Sequence, residues 1–299
     1  GLVPRLKLNF QHPGVRKGLF LMIPGRNAGG VSQINMLVDT ILASLLPTGS
    51  PSWLYVSDRL MQLPLGIFAI AIGTVILPRL SSLFITKDKS AFSNTLDWSM
   101  RLIFLISIPA VIGLVMLAEP IILTLFERGA FNSYDSLQAS YSLIALASGL
   151  VAFMLIKILT PSFFARQEPK IPMYVALISM VLNAILAWLL GFNLGYGHIG
   201  LALASSISAF FTAITLLFLL KREKIYESTE GWIIFWIRLS VASIILILFL
   251  GYFSEEVSDL RRLTNFERTV YILKMVILGI GLYLLALRLS GLRIKDFIN

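Results

Sequence analysis

The sequence contains no cysteine, so neither a disulfide framework nor a thiolate metal site is available to it. Histidine is almost as scarce: His12 and His198 are the only two, too far apart for a zinc motif. Charge is sparse as well. Only 14% of the 299 residues are Asp, Glu, Lys or Arg, against about 25% in an ordinary soluble domain. That balance excludes a soluble globular enzyme, and the 11% aromatic content excludes disorder. Phosphate loops, nucleophile elbows and paired catalytic carboxylates are missing too. The chain therefore reads as a non-enzyme that needs no organic cofactor.

What is present is apolar: 57% of the residues are hydrophobic, and the mean hydropathy is +0.84. A spanning helix takes about 20 apolar residues, so the chain has room for roughly eight to ten. The runs are long and continuous, unlike the short alternating segments of an outer-membrane barrel. Eight are expected, at about 28–46, 53–78, 101–125, 138–161, 172–194, 199–220, 232–253 and 269–289. The fold class is an all-α integral membrane bundle of eight transmembrane helices.

The basic residues orient it. On alternate loops, seventeen Lys and Arg fall on the side of both termini and four (Arg128, Arg261, Arg262, Arg268) on the other. The positive-inside rule then places both termini in the cytoplasm. The net charge of +9 follows topology rather than an aromatic-interleaved patch, so nucleic acid is not expected as a partner. The basic stretch from Arg5 to Arg26 is expected to lie against anionic membrane lipid. Residue 1 is Gly rather than Met, which suggests a piece of a longer protein. His198, between Gly197 and Gly200, is expected in a loop, and Arg238 and Lys274 at the interface.

Polar residues concentrate in the first two segments, which are expected to line a wet interior. The last two are greasy and are expected to face lipid or a lipid-like ligand. Asp58 and Arg59 stand together in the second segment. An ionised group inside the bilayer is costly and needs a cavity or a partner. Arg59 suits an anionic ligand such as phosphate or carboxylate, with Asp58 orienting it; the plainer alternative is a snorkelling arginine. Pro64 and Gly66 predict a kink or hinge just beyond them. Asp39, with Asn35 one turn before, reads as a cation or proton site, or as the partner of Lys157 or Arg59. Asn183 and Ser205 or Ser206 are candidates to supply neutral oxygens to a hard cation such as sodium. Lys157 either snorkels or contacts an anion in the cavity.

Several separated motifs then resemble one family. Tyr55 to Gly66 (YVSDRLMQLPLG), Ser32 to Asn35 (SQIN), Phe126 to Phe131 (FERGAF) and Pro161 to Gln167 (PSFFARQ) are similar to the MurJ/MviN lipid II flippases, in order along the chain. The resemblance implies the second lobe of a multidrug/oligosaccharidyl-lipid/polysaccharide exporter fold plus two extra C-terminal helices. Residues 1–27 would be a cytoplasmic tail, 28–221 the six-helix lobe, and 222–299 the extra pair with its tail. It implies translocation of lipid II, the undecaprenyl-pyrophosphate-linked peptidoglycan precursor, across the bacterial inner membrane for cell-wall synthesis, with an N-terminal lobe of the same protein as partner. It also implies a cationic central cavity. Arg59, Asp58, Gln62 and Lys157 are the substrate-facing residues on that reading, with Gln62 where other members can carry Glu. Asp39 and Asn183 match two ligands of a sodium site, and Ala187 stands where a second carboxylate would help. The last two helices resemble a groove for the polyprenyl tail. A cation-coupled small-molecule exporter and a non-transporting scaffold lobe are the alternatives.

Overall fold

A computed structural model describes residues 37–254 and 257–291. The basic tail 1–27, residues 28–36 of the first expected span, and Glu255 and Glu256 of the acidic linker lie outside the described residues. Among the described residues every regular element is helical. Residues 37–44 are helical. They are followed by α1 (Ser50–Pro64), a π-helical turn (Leu65–Ala69), α2 (Ile70–Ile85), α3 (Lys89–Met116) and α4 (Ala118–Phe126). Next come α5 (Ser133–Ala147), α6 (Leu150–Ala165), α7 (Lys170–Trp188) with a second π-helical turn (Leu189–Asn193), and α8 (Gly197–Arg222). The chain closes with α9 (Trp232–Phe253), the short α10 (Val257–Leu260) and α11 (Asn265–Leu289). Six helices among the described residues are long and apolar enough to cross a membrane, and the bent pair α5–α6 makes a seventh if counted as one span.

The boundaries follow from local chemistry. Asp88 caps α3 by accepting from the Ala91 amide at 2.9 Å. The helix therefore starts well before the residue 101 expected from hydrophobicity, because a cap extends a helix into polar sequence. Capping boxes start α5 (Asn132 with Asp135) and α11 (Thr264 with Glu267). Pro64 has no amide hydrogen to give to the Leu60 carbonyl. The strand of backbone bonds re-forms through the π-helical turn that begins at Leu65, and Ser50–Ile85 continues as one span.

α8 packs on α5, α6 and α7, while α2 and α3 close over α6. The main core holds Leu80, Leu96, Ile103, Met154, Ile158, Phe163 and Leu220, from α2, α3, α6 and α8. A separate core joins α9 and α11 through Leu239, Leu246, Met275 and Tyr283, and rests on α3. The Tyr283 hydroxyl donates to the Leu105 carbonyl at 2.9 Å, which pins the last helix to α3. Outward faces are apolar: Ile178, Val181, Ile185 and Trp188 of α7, and Ile233, Ile244, Leu248 and Ile277 of the last pair, are exposed. That is the pattern for a bundle solvated by hydrocarbon.

α5 and α6 meet at 42°. At the break the Gly149 amide bonds the Leu146 carbonyl instead of Ala145, and Ser206 and Ser148 hydroxyls each donate to the Ala145 carbonyl at 2.7 Å. A Cβ at Gly149 would lie 2.7 Å from the Ser206 Cα, so the α8 backbone touches the bend directly. Gly149→Ala is expected to cost about 1–3 kcal/mol by overpacking. A lowered thermal midpoint of the purified protein, with unchanged oligomeric state, would register it.

Candidate functional site

α1 divides its residues between two environments. Trp53, Val56, Ser57, Leu60 and Met61 are buried. The Trp53 indole donates to Asp135 at 2.8 Å, and the Ser57 hydroxyl donates to the Ala139 carbonyl of α5 at 2.7 Å. These bonds fix the rotation of the helix. Tyr55, Asp58 and Gln62 therefore share the opposite face, spaced as i, i+3 and i+7. They form one wall of a cavity of about 970 Å³. Asp39 and Thr40 contribute a second wall, Lys157 of α6 a third and Ser205 of α8 a fourth. Gly66, at the π-helical turn, lies at its edge, where a Cβ would meet nothing within 4 Å.

The two carboxylates of this cavity are engaged by neutral neighbours. The Gln62 amide donates to Asp58 one turn away. A carboxylate at position 62 would set two negative charges at that spacing, whereas the amide supplies a donor. The Asn183 amide of α7 donates to Asp39 at 2.9 Å. Ser205 Oγ lies 3.5 Å from Asn183 Oδ1 and donates to the Leu201 carbonyl at 3.3 Å. Asp39, Asn183 and Ser205 thus converge from three separate elements. Ala187 is fully buried among Ala43, Leu201 and Ala204, so a methyl group fills the position one turn after Asn183.

The cations are less committed. Lys157 is exposed on the cavity wall, and among the described residues neither Lys157 nor Arg59 forms an ion pair. Among the described residues no ion pair joins Asp39 or Asp58 to either basic residue. A Cβ at Gly73 would come within 2.9 Å of the Lys157 carbonyl, so α2 backs this wall at backbone contact. Arg59 departs from the expected placement. It does not line the cavity but lies beside it, exposed, with its guanidinium 4.8 Å from the Tyr55 ring centroid. Adjacent positions on a helix point about 100° apart, so Asp58 and Arg59 do not share a direction. Among the described residues this region carries two charges of each sign, Asp39 and Asp58 beside Lys157 and Arg59.

A family model described as lipid II flippase MurJ matches residues 1–272. The chain belongs to the MurJ lipid II flippase family. A probable lipid II flippase MurJ of Vibrio cholerae serotype O1 is 42% identical over 300 residues, covering 99% of this chain and 56% of the relative. The chain thus spans about half the length of that MurJ relative. A solved structure of lipid II flippase MurJ in an inward closed conformation superposes with a TM-score of 0.76 at 30% identity, over 98% of this chain and 57% of that one. An outward-facing multidrug resistance MATE transporter superposes with a TM-score of 0.63 at 15% identity, over 92% of this chain and 64% of that one. That second likeness is one of fold alone. The chain is a multi-pass membrane protein, helical throughout its described regular elements, with a MurJ-type transporter fold.

Two buried polar centres differ from the sequence expectation. His198 is not a loop residue. It lies in the first turn of α8, buried, with Nδ1 2.6 Å from Ser142 Oγ and Nε2 3.0 Å from Gln138 Oε1. Its ring packs edge-on to Trp53 at 4.7 Å. The helix starts earlier than apolar periodicity indicates because Gly197 takes φ +57° and permits the entry turn.

Asp97, only 2% exposed, is the larger omission. It accepts from the Tyr226 hydroxyl at 2.7 Å, from the Trp232 indole at 2.8 Å, from Arg101 Nε at 2.9 Å and from the Thr229 hydroxyl. Burial, and then the bond to Asp97, hold the Tyr226 phenol above its ordinary pKa range, so it stays a donor. This centre ties α3 to the 223–231 linker and to the start of α9. The Asp97–Arg101 spacing of four residues was its only signal in the sequence.

Proposed function

We propose that this chain forms the lobe of a lipid II flippase that carries one wall of the translocation cavity, together with the helix pair that follows it. The whole protein would move lipid II from the inner to the outer leaflet of the bacterial cytoplasmic membrane, rocking between inward- and outward-facing states. Eight spans with both termini cytoplasmic fit the loop charges. The observation that carries the reading is the cavity of a MurJ-family chain whose wall presents Lys157 while both carboxylates are engaged by amides; among the described residues neither Lys157 nor the neighbouring Arg59 forms an ion pair. A pyrophosphate leaving water needs cationic contacts. The polyprenyl tail can stay in hydrocarbon beside α9 and α11. The π-helical turn after Pro64, with open space around Gly66, supplies a hinge below Asp58 and Arg59.

The test is export in cells depleted of their own flippase and supplied with the complete reading frame. Lipid II accessible at the outer leaflet should return to the undepleted level. Absence of any return, with the protein present in the membrane, would overturn the reading.

Asp39, Asn183 and Ser205 would hold a sodium ion. One carboxylate and two neutral oxygens are the donor chemistry a hard cation accepts. An ion there biases the transport cycle only through different affinities for its two end states. Asp39→Asn keeps the shape and removes the charge. Its export is expected to become independent of sodium; sodium dependence equal to that of the unaltered protein would refute the ion site.

A further inference from the structure

A second cavity, of about 750 Å³, opens where α8 ends and α9 begins. It shares no lining residue with the first, and no residue of α11 reaches it. Its interior is apolar: Met100 and Phe104 of α3, Leu155 and Leu159 of α6, and Leu217 of α8. Its mouth is polar and carries both signs of charge. Lys221 stands at the end of α8 and Glu230 just before α9, with the Ser228 hydroxyl between them in sequence. Among the described residues neither Lys221 nor Glu230 joins an ion pair. Trp232 and Trp236 flank the opening, and the Phe104 ring packs 4.8 Å from Trp236. Tryptophan at this level is characteristic of the membrane–water boundary.

An apolar chamber with a charged mouth, placed between the ends of two membrane spans, selects an amphiphile over a small solute. The charge at the mouth narrows it further. A solely anionic headgroup would meet the Glu230 carboxylate as well as the Lys221 ammonium. A headgroup with phosphate and ammonium together satisfies both. Arg101 does not alter the balance, because its charge is paired with Asp97 at 2.9 Å.

We propose that this cavity binds one zwitterionic phospholipid, with an acyl chain among Met100, Phe104, Leu159 and Leu217, its phosphate at Lys221 and its ammonium at Glu230. The lipid would act as a fixed filler between the lobe and the α9–α11 pair, on the opposite face of α6 from Lys157.

The experiment is native mass spectrometry of the full-length protein, delipidated in detergent and then offered phosphatidylethanolamine or phosphatidylglycerol of matched chains. One equivalent of phosphatidylethanolamine should be retained in preference to phosphatidylglycerol. Lys221→Ala should weaken retention by about tenfold, the equivalent of one charge-assisted hydrogen bond. Glu230→Gln should remove the preference between the two lipids. Both side chains are exposed, so neither variant disturbs the core. Leu217→Trp, which fills the chamber, should abolish retention. Equal retention of the two lipids by the unaltered protein, preference for phosphatidylglycerol, or retention unchanged in Lys221→Ala and Leu217→Trp would each overturn the proposal.

Discussion

Asp97→Ala is expected to destabilise the folded protein by about 3–5 kcal/mol, the cost of removing one partner of a buried ionic pair. The carboxylate is the common acceptor for Tyr226, Thr229, Trp232 and Arg101, all drawn from α3 and the segment that leads into α9. Its loss leaves the Trp232 indole and the Tyr226 hydroxyl without this acceptor and takes from Arg101 its only ion-pair partner among the described residues. Unsatisfied buried donors carry the full cost of having left water. Arg101 keeps some compensation, because it also lies 4.9 Å from the Trp232 ring centroid and donates to the Glu230 carbonyl. Asp97→Asn should be milder, since the amide still accepts from two of the four donors. Thermal unfolding monitored by size-exclusion fluorescence separates the two variants. A midpoint for Asp97→Ala equal to that of the unaltered protein would mean that the α9–α11 pair is held by its apolar core alone.

The second large effect is on transport. Lys157→Ala and Arg59→Ala are each expected to lower lipid II export by about tenfold to a hundredfold, the value of one charge-assisted contact to a phosphate. Lys157 faces the cavity directly, so its removal should act without any change of fold. Arg59 rests on Tyr55 beside the cavity and must leave that ring to reach an anion inside it. Tyr55→Phe should therefore preserve export, because the ring face is retained, whereas Lys157→Arg should preserve it only in part. The point charge of an ammonium and the planar fork of a guanidinium do not place a phosphate identically. Outer-leaflet lipid II at the undepleted level in either alanine variant would remove that residue from the substrate-facing set.

Some of this was legible in the residues. Long apolar runs set the class of protein, because backbone groups in hydrocarbon must be satisfied within a helix. Polar side chains in the stretch from Ser57 to Gln62 marked the wall of a cavity, since no other location inside a membrane accepts them cheaply. Asp39, Asn183 and Ser205 were singled out as isolated oxygens on three segments. Their convergence depends on α7 and α8 packing against residues 37–44, and spacing along a chain does not encode distance between helices.

Other features were hidden by how helix ends are decided. Asp97 and His198 each lie just outside an apolar window, and capping by Asp88 and the left-handed Gly197 pulled both into helices. Composition by itself determined the solvent: 57% apolar residues and 14% charged ones require a bilayer. The motif around Asp58 and Arg59 placed the chain among its relatives. Only the tertiary structure decided which charges face each other. Asp58 and Asp39 take the Gln62 and Asn183 amides as partners, and among the described residues Lys157 on the same cavity wall joins neither in an ion pair. In a low-dielectric interior that choice of partner governs what the site can bind.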